Sequence, residues 1–141
     1  MQAEVHREVE RMRAAGRAVR LLGYLCKDEA EAEIAAADYL LIPSRIESIP
    51  VVFSDAMKLE CPVVSMPVGD LPRLIGENDV GVLASDVSAT AYARALSSAL
   101  RMPASACMRQ LQACARQFDL PSIARKLAGN QDENARHGQI T

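Results

Sequence analysis

The sequence predicts an α/β fold in which a parallel sheet carries helices on both of its faces. Two observations support this prediction. Short apolar runs alternate with helix-forming stretches from residue 18 to residue 101, and such alternation requires helical crossovers between parallel strands. Half of the 141 residues are apolar and 24% are charged, as expected for a globular domain with a hydrophobic core. No internal repeat or linker is visible, which favours a single domain.

The first third of the chain is predicted to contain two helices and two strands. Val5, Val9 and Met12 recur at the helical spacings of four and three residues. Gly16 follows them as a suitable helix stop signal. The predicted elements are a helix over residues 2–15, a strand over 19–23, a helix over 28–37 and a strand over 38–43.

Prolines mark several of the later boundaries. Pro43 ends a strand, Pro50 suits the first turn of a helix, and Pro103 separates two helices. The predicted elements are a helix over 50–59, a strand over 62–66, a short helical turn, a strand over 81–83, and helices over 87–101, 104–118 and 121–128. Residues 1–129 are expected to form the domain, and residues 130–141 a polar, flexible tail.

Composition and charge exclude several classes of function. A formal net charge of −2 without a basic cluster argues against nucleic acid as a partner. The longest apolar runs are too short to cross a bilayer. The four cysteines form no Cys-x-x-Cys pair, so we expect reduced thiols in a cytoplasmic protein rather than a metal site or a disulfide framework.

Catalysis through a histidine or a bound metal ion is not expected. His6 and His137 are the only histidines and lie near the ends of the sequence, which excludes a hydrolase triad built on an interior histidine. The sequence also lacks an Asp-x-Asp pair, an arrangement that holds divalent ions. We therefore expect no metal and no other cofactor.

The segment from Pro43 to Asp55 is the strongest candidate for a binding site, because a strand end, a polar loop and a helix N-terminus follow one another there. In open parallel sheets, ligands bind beyond the carboxyl ends of the strands. Free N–H groups of Val51, Val52 and Phe53, together with the helix dipole, would form a seat for a diphosphate.

Two carboxylates flank this seat. Glu47 lies in the loop before the helix, and Asp55 lies one and a half turns inside it. Carboxylates accept hydrogen bonds and therefore suit the vicinal hydroxyls of a ribose or a hexose. A phosphate seat with acidic groups beside it predicts a ligand that combines phosphates and sugar rings, such as a nucleotide sugar.

Three stretches of this region carry a family resemblance: residues 43–57, 61–64 and 68–72. They resemble the C-terminal, donor-binding domain of the group 1 (family 4) retaining glycosyltransferases, which have the GT-B fold. The hallmark of that family is a glutamate, seven residues and a second glutamate, and the matching positions are Glu47 and Asp55. The resemblance extends over most of the chain.

The resemblance implies a Rossmann-like domain that binds a UDP-, GDP- or ADP-sugar for retaining, metal-independent hexosyl transfer. Glu47 would be the catalytic residue and contact the transferred sugar, and Asp55 would hold the ribose hydroxyls. A solvated loop arginine explains Arg45 at least as well as a phosphate contact does, and a strand-end tyrosine such as Tyr24 more often serves simple packing than a nucleobase. The implied donor-binding residues are Gly23, Tyr24, Leu25, Ser44, Arg45, Ile49, Pro50, Val51, Val52, Asp55 and Gly69.

Four positions depart from the family pattern. Asp55 is one methylene shorter than the usual glutamate. Glu60 replaces a glycine that ends the helix, at a cost of about 1 kcal/mol if the backbone there is left-handed. Asp70 replaces the second glycine of a Gly-Gly donor loop, where it would crowd or repel a phosphate. Arg73 replaces a glutamate and reverses its charge.

The sequence lacks other parts that the resemblance implies. The first strands of the family's C-terminal domain, their Gly-Arg…Lys-Gly loop and the acceptor-binding N-terminal domain are not found. We therefore expect little activity from the isolated chain, and self-association or a separate subunit at an exposed sheet edge. A non-catalytic nucleotide-sugar-binding remnant and, less favoured, a GT-B sugar-nucleotide epimerase are the alternatives. A cytoplasmic location is expected, with or without peripheral attachment to a membrane.

Overall fold

The computed structural model describes residues 2–48, 50–102 and 104–116. The chain divides into two compact units, residues 1–30 and residues 31–141, and each is described by itself. The elements in chain order are helix α1 (Gln2–Ala14), helix α2 (Lys27–Ala35), strand β1 (Leu40–Ile42), helix α3 (Val51–Lys58), strand β2 (Val63–Ser65), helix α4 (Leu71–Asn78), strand β3 (Gly81–Leu83), helix α5 (Ala89–Ala99), a 3-10 turn (Ala104–Cys107) and helix α6 (Met108–Ala115).

In the first unit, the predicted stop signal at Gly16 is confirmed. Gly16 has a left-handed backbone, with a φ of 75°. Its N–H donates to the Arg13 carbonyl over 2.9 Å, and the N–H of Arg17 donates to the Met12 carbonyl over 3.0 Å. This pair of hydrogen bonds is the Schellman arrangement, which favours glycine because glycine adopts the left-handed conformation without strain.

The strand predicted over residues 19–23 is wrong. Within the described part of the chain, these residues pair with no strand and have no regular secondary structure. Leu21 and Leu22 are 44% and 42% exposed, so the apolar run is not a buried one. A strand needs a hydrogen-bonding partner along its edge, and a short apolar run does not by itself supply that partner.

In the second unit, the predicted α/β class and parallel sheet are confirmed. The three strands are parallel and lie in the order β1-β2-β3. Leu40 on β1 pairs with Val63 on β2, which pairs in turn with Gly81 on β3. Val63 and the next residue, Val64, belong to different core clusters, because successive side chains of a strand point to opposite faces of the sheet.

Helices cover both faces of this sheet. The cluster on the Val63 face joins α3, α4 and α6 to the strands, and its buried residues are Ile34, Ile42, Phe53, Ala56, Met57, Cys61, Val63, Leu71, Ile75, Val80, Cys107, Leu111 and Cys114. The cluster on the Val64 face joins α5, and its buried residues are Val64, Met66, Ala84, Ala91, Ala95 and Ala99. The Tyr92 hydroxyl of α5 donates to the Val64 carbonyl over 3.0 Å, which ties this helix to the central strand.

Gly81 makes close contact between β3 and β2 possible. A Cβ at this position would overlap the carbonyl oxygen of Val63 and lie 2.8 Å from its carbonyl carbon. Val63 is fully buried on the central strand. The sheet therefore has no room for a side chain at residue 81.

The end of α3 repeats the hydrogen-bond pattern seen at Gly16, but with a glutamate. Glu60 has a φ of 56°. Its N–H donates to the Met57 carbonyl over 3.2 Å, and the N–H of Cys61 donates to the Ala56 carbonyl over 2.8 Å. The left-handed backbone at this departure from the family pattern is therefore present, and a residue with a Cβ is strained there.

The remaining boundaries differ from the prediction in detail. The short helical turn predicted before β3 is the full helix α4, and the helix predicted over 104–118 opens as a 3-10 turn. The helix predicted over 121–128 and the tail over 130–141 lie outside the described residues, so they and the domain boundary stay predictions. No helix in the described part of the chain has the length and apolar character needed to span a membrane.

Candidate functional site

Two loops meet beyond the carboxyl ends of neighbouring strands. Residues 43–50 follow β1, and residues 66–70 follow β2. Since the two strands are parallel and adjacent, their loops lie at the same edge of the sheet, where ligands bind in folds of this kind. The first loop carries Glu47, and the second carries Gly69 and Asp70.

The second loop holds the first through a backbone-to-backbone contact. Gly69 is left-handed, with a φ of 56°. A Cβ on Gly69 would overlap the carbonyl oxygens of Glu47 and Ser48 and lie 2.9 Å from the Glu47 carbonyl carbon. Beside this contact, the Asp70 N–H donates to the Ser48 carbonyl over 3.1 Å. Sequence reasoning missed this contact, although a glycine after a buried strand was a usable signal.

Glu47 carries the carboxylate of the first loop. The residue is half-buried in its loop, as is Ser44, whereas Arg45 is exposed. Among the described residues, no side chain forms an ion pair or a hydrogen bond with the Glu47 carboxylate. Both of its oxygens therefore have acceptor capacity for the hydroxyl groups of a bound molecule.

Asp55 lies on α3 and forms an ion pair that the sequence analysis did not anticipate. The Lys58 Nζ lies 3.7 Å from Asp55 Oδ1, and the two side chains are 45% and 22% exposed. Spacing of three residues on a helix is the signal that would have found it. A pair this exposed contributes little stability, so Asp55 remains able to exchange its lysine for ligand hydroxyls.

The N-terminus of α3 supplies fewer free amides than the sequence predicts. Pro50 is the residue that precedes the first helical residue, Val51, and no side chain caps this helix. The Phe53 N–H donates to the Pro50 carbonyl over 2.9 Å, so the expectation of a free Phe53 amide is wrong. Val51 and Val52 are left to carry the predicted anion seat, since the first amides of a helix have no acceptor inside it.

Four of the predicted donor-binding residues are not placed in this site by the structure. Ile49 lies outside the described residues. Gly23, Tyr24 and Leu25 belong to the first unit, and their position beside a nucleobase stays a prediction.

The two departures after β2 have different surroundings. Asp70 is exposed at the start of α4, and its side chain forms no capping hydrogen bond. Arg73 lies one turn further, where its Nη1 is 3.3 Å from Glu77 Oε2 on the exposed side of α4. The reversed charge at Arg73 is therefore part of a surface ion pair.

Two cavities lie at other residues. A concavity of about 580 Å³ runs along the outer side of α5, and a cavity of about 30 Å³ lies beside Tyr39, Gly81 and Cys107. Neither contains a predicted site residue, so loop contacts define the candidate site. No three His, Cys, Asp or Glu side chains come together as possible metal ligands in the residues that the structure describes.

A parallel sheet with two locked loops at its carboxyl edge, one of them bearing Glu47, is the arrangement expected of the donor-binding half of a GT-B enzyme. Residues 2–102 match the family described as Glycosyl transferases group 1, and the chain belongs to that family. The members of that family are glycosyltransferases, and the resemblance to their C-terminal GT-B domain is confirmed.

Two relatives agree with this assignment. D-inositol 3-phosphate glycosyltransferase of Corynebacterium aurimucosum is 37% identical over 84 residues, which cover 60% of this chain and 20% of that protein. Amylovoran biosynthesis glycosyltransferase AmsK of Erwinia amylovora is 36% identical over 84 residues, which cover 55% of this chain and 21% of that protein. The matched segment thus spans about a fifth of each relative.

A solved structure shares the fold. Sucrose-phosphate synthase from Thermosynechococcus elongatus superposes with a TM-score of 0.67 and 23% sequence identity. The superposition covers 96% of this chain and 35% of that protein. The fold described above is therefore a part of a larger GT-B architecture in that enzyme.

Proposed function

We propose that the loops after β1 and β2 bind the nucleotide-sugar donor of a retaining hexosyltransferase. Glu47 faces the transferred sugar, and Asp55 holds the ribose. The observation that carries this proposal is the half-buried Glu47 carboxylate, which has no partner among the described residues and lies in a loop fixed at the carboxyl edge of the sheet. Membership of the glycosyltransferase family supplies the chemical context.

The helix that follows Glu47 fits the leaving group. The amides of Val51 and Val52 and the positive end of the α3 dipole favour negative charge on a departing diphosphate. A carboxylate near the reacting carbon stabilises the positive charge that develops there during transfer. Retention of configuration without a metal ion is part of the proposal, as the family resemblance implies.

The relatives support a role on the donor side. Their names specify different compounds, D-inositol 3-phosphate and amylovoran, yet each matches this chain over a segment of similar length and identity. A segment shared between enzymes that differ in this way suits a common reactant, the activated sugar, better than the acceptor. The isolated chain is accordingly expected to bind a donor without appreciable transfer, and turnover of a radiolabelled donor by the purified chain would contradict this.

Calorimetric titration with UDP, GDP and ADP, and with their glucose conjugates, tests donor binding. Asp55→Asn is expected to weaken the binding of the nucleotide itself by about tenfold, because a charge-assisted hydrogen bond to the ribose is lost. Glu47→Gln is expected to weaken only the binding of the sugar conjugate, also by about tenfold, because the proposed contact is to the sugar.

A matched control is Glu77→Gln, which removes an exposed carboxylate of α4 that pairs with Arg73. It should leave both affinities unchanged. Equal affinities in the wild type, Glu47→Gln and Asp55→Asn would show that the nucleotides bind elsewhere. Loss of nucleotide affinity in Glu47→Gln to the same extent as sugar-conjugate affinity would refute the division of roles between the two acids.

A cytoplasmic setting and an association surface complete the proposal. All four cysteines are free thiols, as in proteins kept reduced in the cytoplasm.

Within the described residues, β1 pairs with β2 alone, and Leu41 on β1 is largely exposed. We propose that this edge receives a separate subunit or a second copy of the chain, which light scattering after size exclusion would detect.

A further inference from the structure

The turn after β2 is anchored at both of its ends. On one side, the residues of β2 are fully buried in the sheet. On the other side, Leu71 opens α4 with a fully buried side chain, and the Leu74 N–H donates to the Asp70 carbonyl over 3.0 Å. Within the turn, the Leu71 N–H donates to the Val68 carbonyl over 3.2 Å. The position of Gly69 is therefore set by the core of the domain.

The loop after β1 has much less support of its own. Among the described residues between Pro43 and Ser48, the bond from the Asp70 N–H to the Ser48 carbonyl is the one backbone hydrogen bond that reaches the rest of the domain. The side chain of Glu47 has no partner in the same part of the chain. The placement of the Glu47 carboxylate consequently depends on what touches the backbone at Glu47 and Ser48.

Gly69 and Asp70 provide those contacts, and the Asp70 N–H is thereby taken out of reach of a ligand. The Cα of Gly69 faces the Glu47 and Ser48 carbonyls so closely that no Cβ fits. The Asp70 N–H is already donated to Ser48. A backbone N–H engaged in this way has no second hydrogen to offer to a phosphate.

We infer that Gly69 and Asp70 act as a positioning element that fixes the loop carrying Glu47, and that the Asp70 N–H does not contact the donor phosphates. This inference rests on the proposed function for its consequence, since the loop matters to catalysis only if Glu47 meets the sugar. It gives Gly69 a positioning role beside the donor contact that the family resemblance implies. It also assigns the acidic side chain of Asp70 no part in holding the loop, because the contact is made by its backbone.

NMR relaxation of Gly69→Ala tests the inference without any ligand. Backbone order parameters at residues 44–48 are expected to fall to about 0.6 or below, because the clash pushes the two loops apart. Order parameters of β2 and α4 should keep their wild-type values. Gly76→Ala is the matched control, since Gly76 lies in α4 with nothing within 4 Å of an added Cβ.

Two variants of Asp70 separate backbone from side chain. Asp70→Asn keeps the N–H and should leave the order parameters at residues 44–48 unchanged. Asp70→Pro removes the N–H at a backbone φ of −85°, near the value that proline requires, and should lower these order parameters as Gly69→Ala does. Asp70→Pro also tests the inference if Gly69→Ala fails to fold.

Titration with UDP and UDP-glucose then distinguishes a failure of this inference from a failure of the proposed function. Gly69→Ala is expected to weaken the binding of UDP-glucose by about tenfold and the binding of UDP much less, because a displaced Glu47 loses its proposed contact with the sugar. Wild-type order parameters in the loop together with lost affinity for UDP would overturn the inference and make Gly69 a direct phosphate contact. Lowered order parameters in the loop of Gly69→Ala, without any UDP or UDP-glucose binding in the wild type, would leave the positioning element standing and count against the proposed function with this donor.

Discussion

Gly69 and Gly81 each bring one backbone segment against another, but they do so in different surroundings. Gly81 lies within the sheet, against the fully buried Val63. Gly69 is exposed and lies between two loops, against Glu47 and Ser48. The same lack of a side chain therefore serves the stability of the sheet in one place and the geometry of the candidate site in the other. Substitution of each glycine should separate stability from function.

The largest effect is expected for Gly81→Ala. The central strand is packed on both faces and cannot retreat from a new methyl group, so the free energy of unfolding should fall by about 3 kcal/mol or more. Gly69→Ala should lose only about 1–2 kcal/mol, because an exposed loop can shift and the left-handed backbone adds a modest strain. Urea denaturation of both variants, with Gly76→Ala as control, measures the difference. Equal losses would remove the distinction between the two glycines.

A smaller effect, of the opposite sign, is expected at the end of α3. Glu60 occupies the same hydrogen-bonded position as Gly16, with a left-handed backbone. Glu60→Gly should raise the free energy of unfolding by about 1 kcal/mol, because glycine relieves this strain.

The gain in stability of Glu60→Gly is reduced because the variant loses an exposed hydrogen bond, in which Gln112 Nε2 donates to Glu60 Oε2 over 3.3 Å. Glu60→Ala is the matched control, since it loses that bond and keeps the strain. Nucleotide affinity should be unchanged in both variants. A gain as large in Glu60→Ala as in Glu60→Gly would show that the backbone conformation is not the cause.

The smallest expected effect is a change of stability with pH, caused by the cysteine side chains in the core. Burial raises the pKa of the thiols of Cys61, Cys107 and Cys114. The unfolded chain releases these protons near pH 9.0, the ordinary thiol value, and the folded chain releases them at higher pH. The stabilisation is therefore fully present below pH 9.0 and is lost as the pH rises through the folded pKa values.

Urea midpoints should thus stay constant between about pH 7 and 8 and decline above about pH 9. Cys26 is exposed, so Cys26→Ser should follow the same curve as the wild type. A midpoint that rises with pH in this alkaline range would contradict the assignment of the three thiols to the core.

The sequence predicted the order of helices and strands in the second unit because each apolar run there has a neighbour to pair with. It failed at residues 19–23, where an equally apolar run has no strand beside it among the described residues. The pattern of apolar residues in a segment indicates which secondary structure the segment can form. A strand also needs a second strand to pair with, and that partner lies elsewhere in the chain. The helix stop at Gly16 was predictable for the converse reason, since the capping of a helix end involves only the last few residues. The left-handed backbone at Glu60 was anticipated as a condition, from the glycine that the family resemblance implies there.

The candidate site was predicted in part. The two acids and the helix start could be read from residues close together in the sequence. The Phe53 amide was lost to Pro50 through a local backbone adjustment that residue types do not reveal. The contact of Gly69 with Glu47 joins residues more than 20 positions apart, so a glycine after a buried strand could signal a close backbone approach but not identify its partner.

Neighbours in the sheet are also neighbours in the chain. Leu40 pairs with Val63, and Val63 pairs with Gly81. The connections between the strands are residues 43–62 and 66–80, which are 20 and 15 residues long, and closing them has a modest entropic cost. Short separations of this kind favour faster folding than pairing between strands that are distant in the chain. They also allow β2 to join β1 before β3 has left the ribosome, so the loop bearing Glu47 can meet its anchoring turn while the rest of the chain is still being synthesised.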